Sequence, residues 1–191
     1  HLALAKEGLP QPETIVAPMT YDNVGLTDLD FLSNAVDRFG FPMVVKECFG
    51  SFGWQVYLAN DFDMLREIVR QIGAKPFIMQ RYIATSHGRD VRLQVVGDRV
   101  VAAMERYSTN EDFRANLSCG GSMRSHEPGK EEQDLAVRAA RAVDADFAGV
   151  DLLFGPEGAL VCEVNSNAHL RNIYDCTGVN VADAIIDWIM K

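Results

Sequence analysis

Gly149-Val-Asp-Leu-Leu-Phe154, Gly155-Pro-Glu-Gly158 and Ala159-Leu-Val-Cys-Glu-Val-Asn165 follow one another without a break. Two apolar runs around a Gly/Pro turn form the pattern of a β-hairpin. If the chain folds back around residues 156 and 157, antiparallel partners sum to about 314 and Asp151 faces Glu163. Opposed carboxylates repel unless something positive lies between them, and a divalent cation would supply that charge. Strand alternation puts Asn165 on the face of Glu163, adding an amide oxygen to two carboxylates. Hard oxygen donors without His or Cys suit Mg²⁺ or Mn²⁺ better than zinc. The competing reading is two solvated acids on an exposed face, each beside some Arg or Lys. Val150, Leu152, Leu153, Leu160, Val161 and Val164 argue instead for a sheet covered on both faces, with its acids in a cleft. On these residues alone both readings stand.

Bulk properties bound the answer. The 191 residues suffice for a real core, in one domain or two small lobes, and a hydrophobic fraction of 48% with 24% charged is that of a globular protein. A net charge of −9 argues against a general nucleic-acid binder, since no broad basic surface would offset phosphate repulsion. Cys48, Cys119, Cys162 and Cys176 are far apart and lack CxxC spacing, which reads as free thiols in a reducing cytoplasm. No apolar run approaches the roughly 18 residues that span a bilayer, and no signal peptide precedes the first element. Residues 1–8 read as the last turns of a helix closed by Gly8, with no Met or N-cap before them, so the chain is expected to begin inside a larger protein.

Elsewhere the pattern predicts a strand over 13–16, a helix over 28–39 capped by Thr27, and strands over 42–46 and 54–59 around a glycine loop. A helix over 61–71, a strand over 77–80 and a hairpin joining 90–96 to 99–105 through Gly97-Asp98 come next. A polar loop over 106–130, a helix over 131–143, the hairpin and a last helix over 181–190 complete the chain. The expected class is α+β with much antiparallel sheet, divided near residues 76–80 into a lobe over 1–78 and a lobe over 79–191.

Four more features bear on chemistry. Lys46 opens a loop with Gly50 and Gly53, where backbone N–H groups and an ammonium could hold phosphates, although the order is not that of a Walker motif. Asp90, Arg92 and Gln94 fall on one strand face, which a solvated surface would also explain. Arg114, Asn116 and a Gly pair lie in a loop that could wrap an anion or be a plain surface connection. His169 and Arg171 could reach a substrate carboxylate or be exposed loop residues.

Lys46 with its glycine loop, Gln80-Arg-Tyr-Ile83, Asp90 with Arg92, Asp112-Phe-Arg-Ala-Asn116, Asp151 and Glu163-Val-Asn165 occur in the order of the ATP-grasp superfamily. The chain most resembles the RimK-like α-L-glutamate ligases, over nearly its whole length. The resemblance implies an ATP-grasp fold whose two α+β lobes clamp ATP, preceded by a further α/β domain that this chain lacks. Lys46 would touch phosphate under a Gly50–Gly53 lid. Gln80, Arg81, Tyr82 and Ile83 would line the adenine, largely through backbone, and Asp90 with Arg92 would serve the rest of the nucleotide, Asp90 at the ribose. Asp151, Glu163 and Asn165 would hold two Mg²⁺ or Mn²⁺ ions, and Arg114 with Asn116 would face the transferring phosphoryl group.

The implied reaction joins a carboxylate to an amine through an acyl phosphate, releasing ADP, with glutamate or another amino acid added to a peptide, protein tail or small-molecule carboxylate. The implied protein is cytoplasmic, binds neither membrane nor general nucleic acid, and leaves room for a homo-oligomer. Two positions depart from the pattern. Arg81 stands where relatives often carry an acid, and Asn165-Ser-Asn-Ala-His169 replaces the more usual Asn-Ala-Ser-Pro. A nucleotide-binding regulatory module without ligase activity, and a metal-binding interaction domain without a nucleotide, remain as alternatives.

Overall fold

The structure, a computed structural model, describes residues 1–116 and 120–191. Residues 117–119 of the expected 106–130 loop, Cys119 included, lie outside the described residues. The chain divides into two compact units, Pro12–Tyr82 and His1–Gln11 with Ile83–Lys191. Two antiparallel sheets with flanking helices give the α+β architecture expected.

In the unit over 12–82, β1 (Thr14–Val16), β2 (Met43–Glu47), β3 (Val56–Ala59) and β4 (Phe77–Arg81) form one sheet in the order β1-β4-β2-β3. Helices α2 (Phe31–Phe39) and α3 (Phe62–Ile72) supply Leu32, Ala35, Leu65 and Val69 to a core with Met43, Val45, Phe77 and Met79. Each fully buried Leu or Met there contributes about 1.5–3 kcal/mol of transfer free energy. Helix α3 starts where expected because the Asp61 carboxylate accepts from Met64 N at 2.8 Å. Helix α2 starts later than the pattern predicts, at Phe31 after Asp30, and Thr27 does not cap it. Asp28 Oδ1 instead accepts from Asp30 N at 2.7 Å, a local turn that competes with helix at these positions.

The other unit begins with α1 (Leu2–Lys6), a helix ending near Gly8 as its sequence suggests. Leu4 and Leu9 pack into the core of this unit, which is why the first eleven residues join it. Its sheet runs β7-β6-β5-β8-β9, from β5 (Arg89–Val96), β6 (Arg99–Ser108), β7 (Gly121–Ser125), β8 (Phe147–Gly155) and β9 (Gly158–Asn165). Strand β7 falls within the stretch expected to be a loop, its Gly121-Ser-Met-Arg-Ser125 giving little apolar alternation to read. Helix α4 (Lys130–Ala142) covers one sheet face, setting Leu135, Ala136, Ala139 and Ala140 against Val91, Leu93, Val150, Leu152 and Val161.

On the opposite face, α5 (Leu170–Thr177) and α6 (Val181–Ile189) cover only one end, through Ile173 and Val181 against Val96, Ala102 and Met104. Further along that face lie the buried polar residues Asp90, Arg106 and Asp151. Among the described residues no helix is long and apolar enough to cross a membrane.

The opening hairpin forms with Asp151 opposite Glu163, as expected, but by an unforeseen route. The turn leaves only Pro156 and Glu157 between the paired Gly155 and Gly158, so regular pairing would set Asp151 against Cys162. A bulge at Cys162 adds one residue to β9 and brings Glu163 into place. Gly155 is required at the turn because a Cβ there would meet Gly158 O at 2.5 Å.

Candidate active site

Three strands build a charged row across the face of the large sheet opposite α4. Arg92 on β5 pairs with Asp151 on β8, and Asp151 pairs with Glu163 on β9. Arg92 Nε donates to Asp151 Oδ1 and Arg92 Nη2 to Oδ2, both at 2.7 Å. Arg106, reaching over from β6, donates from Nη2 to the same Oδ2 at 2.9 Å. It also forks onto Asp90, at 2.7 Å from Nε and 2.6 Å from Nη2. Asp90, Arg92 and Gln94 therefore share a face as the alternation predicts. That face is not solvated: Asp90, Gln94, Arg106 and Asp151 are all buried. Glu163 is exposed at the rim of the row.

Burial alone would push the Asp151 carboxyl up, but the Arg106 and Arg92 guanidinia hold it below the usual carboxylate range. Asp90, whose hydrogen bonds come from Arg106 alone, is left above that range by burial. Burial also works against the charge on Arg106, which the two carboxylates more than restore.

Donor chemistry at Asp151, Glu163 and Asn165 fits a hard divalent ion. The set offers two carboxylates and one amide on one face, and the buried Asn165 Nδ2 has no hydrogen-bond partner. Asp151 Oδ1 accepts one hydrogen bond and keeps a lone pair for a cation, whereas Oδ2 accepts two. Among the described residues no three or more His, Cys, Asp or Glu cluster as a metal site. Gly149 lies between Gln94 and Asn165 in the next row of the sheet. A Cβ there would lie 2.5 Å from the Ala168 Cβ and 3.5 Å from the Arg92 Cδ, so the missing side chain makes room for both.

The loop after β6 holds Arg114 by its own neighbour. Asp112 Oδ1 accepts from Arg114 N at 2.9 Å and Nε at 3.0 Å, and Oδ2 accepts from Nη2 at 2.8 Å. Those donors hold the Asp112 carboxyl below the usual range. The loop is fastened to the turn before β5, where Gly88 N donates to Phe113 O and Ser108 N to Gly88 O. Only glycine suits position 88, at φ +63° with Asp112 O 2.9 Å from where a Cβ would sit. Asn116 is half-buried at the end of the described part of this loop.

The remaining candidates belong to the unit over 12–82, apart from Ile83, the first residue after it. Lys46 is half-buried on β2 between Val56 and Ile78. Beyond it the glycine loop is shaped by Gln55, whose Oε1 accepts from Ser51 N at 3.0 Å. Gln80 is buried and donates from Nε2 to Thr14 at 2.8 Å. The Arg81 side chain is tied to Glu13, at 2.8 Å from Nε, and to Arg38 O at 2.9 Å. Its unusual charge is thereby matched within the protein. Tyr82 is half-buried, which pushes its phenol up.

Sequence reasoning missed Arg106 and Asp112 as members of the site. Arg106 could have been found by continuing the face of Ala102 and Met104 along β6, opposite Gln94, Arg92 and Asp90. His169 is an exposed residue just before α5, whereas Arg171 lies in that helix and pairs with Asp175 one turn along. The sequence offered no cap or clean period to announce that helix.

Two antiparallel sheets with flanking helices place the chain among proteins of the ATP-grasp fold. ATP-grasp ligase PsnB, solved with its minimal precursor, Mg and ADP, matches all of this chain at a TM-score of 0.72 and 22% identity, over 57% of its own length. At that identity the likeness is one of fold. The RimK-like ATP-grasp domain family matches residues 1–189, and this chain belongs to it. A probable alpha-L-glutamate ligase of Trichodesmium erythraeum (strain IMS101) is 37% identical, and a ribosomal protein bS6–L-glutamate ligase of Escherichia fergusonii is 38% identical. Each alignment covers 98% of this chain and 61% of the relative, so the chain spans about three-fifths of the curated relatives it matches.

Proposed function

We propose that the protein containing this chain is an ADP-forming carboxylate–amine ligase, which makes an amide bond through an acyl phosphate. The observation that carries the reading is the row Arg92–Asp151–Glu163 with Asn165, oxygen donors and a guanidinium set on one sheet face, in a chain of the RimK-like family. Asp151, Glu163 and Asn165 are the residues that would hold Mg²⁺ or Mn²⁺, with two ions as the expected number. When bound, the metal offsets the negative charge gathered as a phosphoryl group moves to the substrate carboxylate.

The chain's own groups do the rest. Lys46 and the backbone N–H groups of the glycine loop hold phosphate, and the backbone from Gln80 to Ile83 lines the base. Arg81 is not needed as a side chain there, since Glu13 holds it. Asp90 addresses the ribose from its Arg106 fork, and Arg92 addresses phosphate. Arg114, oriented by Asp112, with Asn116, faces the transferring group and stabilises the oxyanion that develops when the amine attacks the acyl carbon. Phosphate then leaves and the amide remains. No Ser or Cys nucleophile enters this scheme.

Two relatives named for glutamate ligation support glutamate as the amino acid joined, and one named for a ribosomal protein supports a protein tail as acceptor. The departure at Ser166 to His169 keeps a peptide or a small-molecule carboxylate in view. Three described cysteines without disulfides support a reducing, cytoplasmic setting.

A nucleotide titration of the full-length protein tests the reading. ATP should bind measurably more tightly with Mg²⁺ than with a chelator, and turnover should follow once carboxylate and amine are supplied. Mg²⁺ binding indifferent to ATP contradicts it, and tight Mg-ATP binding that never yields product favours the inactive regulatory module.

A further inference from the structure

Four charges close on themselves at the buried end of the row, Asp90 and Asp151 against Arg92 and Arg106. The cluster is neutral before any metal ion arrives. Its two arginines are held differently. Arg106 bonds both carboxylates and its side chain is 6% exposed; Arg92 bonds Asp151 alone and its side chain is 15% exposed. Withdrawing Arg106 would strand the buried Asp90 and leave Asp151 to Arg92, whereas withdrawing Arg92 leaves both acids with Arg106 still in place. Lone pairs tell the same story. Both acceptor positions of Oδ2 are taken, and the Oδ1 atom left for a cation accepts from Arg92 Nε. Arg92 is therefore the exchangeable member of the cluster.

We infer that Arg92 is a built-in placeholder for the divalent ion, occupying Asp151 in the ligand-free protein and turning away when a polyphosphate offers it a second partner. The inference rests on the reading of Asp151 as a metal ligand. A doubly charged ion entering beside a guanidinium is opposed by repulsion, and Glu163 offsets only one unit of its charge. A polyphosphate supplies the missing negative charge and oxygens matched to the guanidinium fork. Ion and nucleotide should thus enter together, with little affinity for the ion by itself. Gly149 serves this exchange, because its missing side chain leaves space around the Arg92 stem.

Mn²⁺ added to the full-length protein without nucleotide, followed by the magnetic-resonance signal of the free ion, reads the inference directly. Wild type should bind weakly. Arg92→Gln should bind at least about tenfold more tightly, and Mn²⁺ should raise its Tm more than that of wild type. Arg92→Lys keeps the charge and should behave like wild type, which separates charge from folding. Equal affinity in wild type and Arg92→Gln overturns the placeholder and leaves the metal reading standing. So does tight binding to wild type without nucleotide that Asp151→Asn abolishes, a result needing no Arg92 variant. Failure of the ligase reading looks different: Mn²⁺ with ATP would then bind neither protein, or would bind Asp151→Asn as well as wild type.

Discussion

Asp112 and Arg114 stand two positions apart, and three donors of one converge on the carboxylate of the other. Such an arrangement sets the guanidinium before any substrate arrives, at the cost of tying its charge to an acid. Because Arg114 holds Asp112 below the usual carboxylate range, the pair's contribution to stability is present above that range and lost as pH falls through the lowered value. The loss should be confined to pH below about 4. Asp112→Asn should flatten that acid limb in a plot of Tm against pH and lower kcat about tenfold or more, with Arg114 less well oriented. An unchanged acid limb together with unchanged kcat would show that the pair does not orient Arg114. At this scale the sequence revealed residue types and their order but not their partners. Asp90, Arg92 and Asp151 were legible as polar positions on alternating strands, while the fork of Arg106 across two of them depends on strand neighbours far apart in the chain.

Among the elements, the two hairpins were the most legible, because a Gly turn between apolar runs constrains both pairing and register. Even so, the facing of Asp151 and Glu163 depends on the bulge at Cys162, which no residue type announces. Strand β7 and helix α5 were missed for a related reason: both are short, mixed in polarity, and stabilised by what they pack against. Strand β8 carries a sharper consequence. Gly149→Ala would thrust a Cβ to 2.5 Å from the Ala168 Cβ, and the segment after β9 would have to yield. Overpacking of this kind costs about 1–3 kcal/mol, which for a chain of this size lowers Tm by a few degrees, about 2–4 °C per kcal/mol. Mn²⁺ affinity in the presence of ATP should fall with it, since Asn165 and Arg92 both border that position. Wild-type Tm and metal affinity in the Gly149→Ala variant would remove Gly149 from the account.

Across the whole molecule, composition and charge argued against a general nucleic-acid binder without pointing to a reaction, and the ordered motifs did the pointing. Two antiparallel sheets, each with its own core, give the chain two units. The first eleven residues join the second unit through Leu4 and Leu9, a long-range packing that local pattern does not encode. The chain spans about three-fifths of the length of the curated relatives it matches, and nothing in its residues selects the acid or the amine. The central claim is that an ion held by Asp151, Glu163 and Asn165 drives amide formation at the expense of ATP. The most direct measurement follows full-length protein with ATP, Mg²⁺, glutamate and pooled acceptors, reading nucleotide products and the mass of the ligated species for wild type and Asp151→Asn. The account predicts ADP and phosphate matched one for one by a new amide in wild type, reduced more than about a hundredfold in Asp151→Asn with the fold retained. AMP and pyrophosphate as products, or near-normal amide formation by Asp151→Asn, would contradict it.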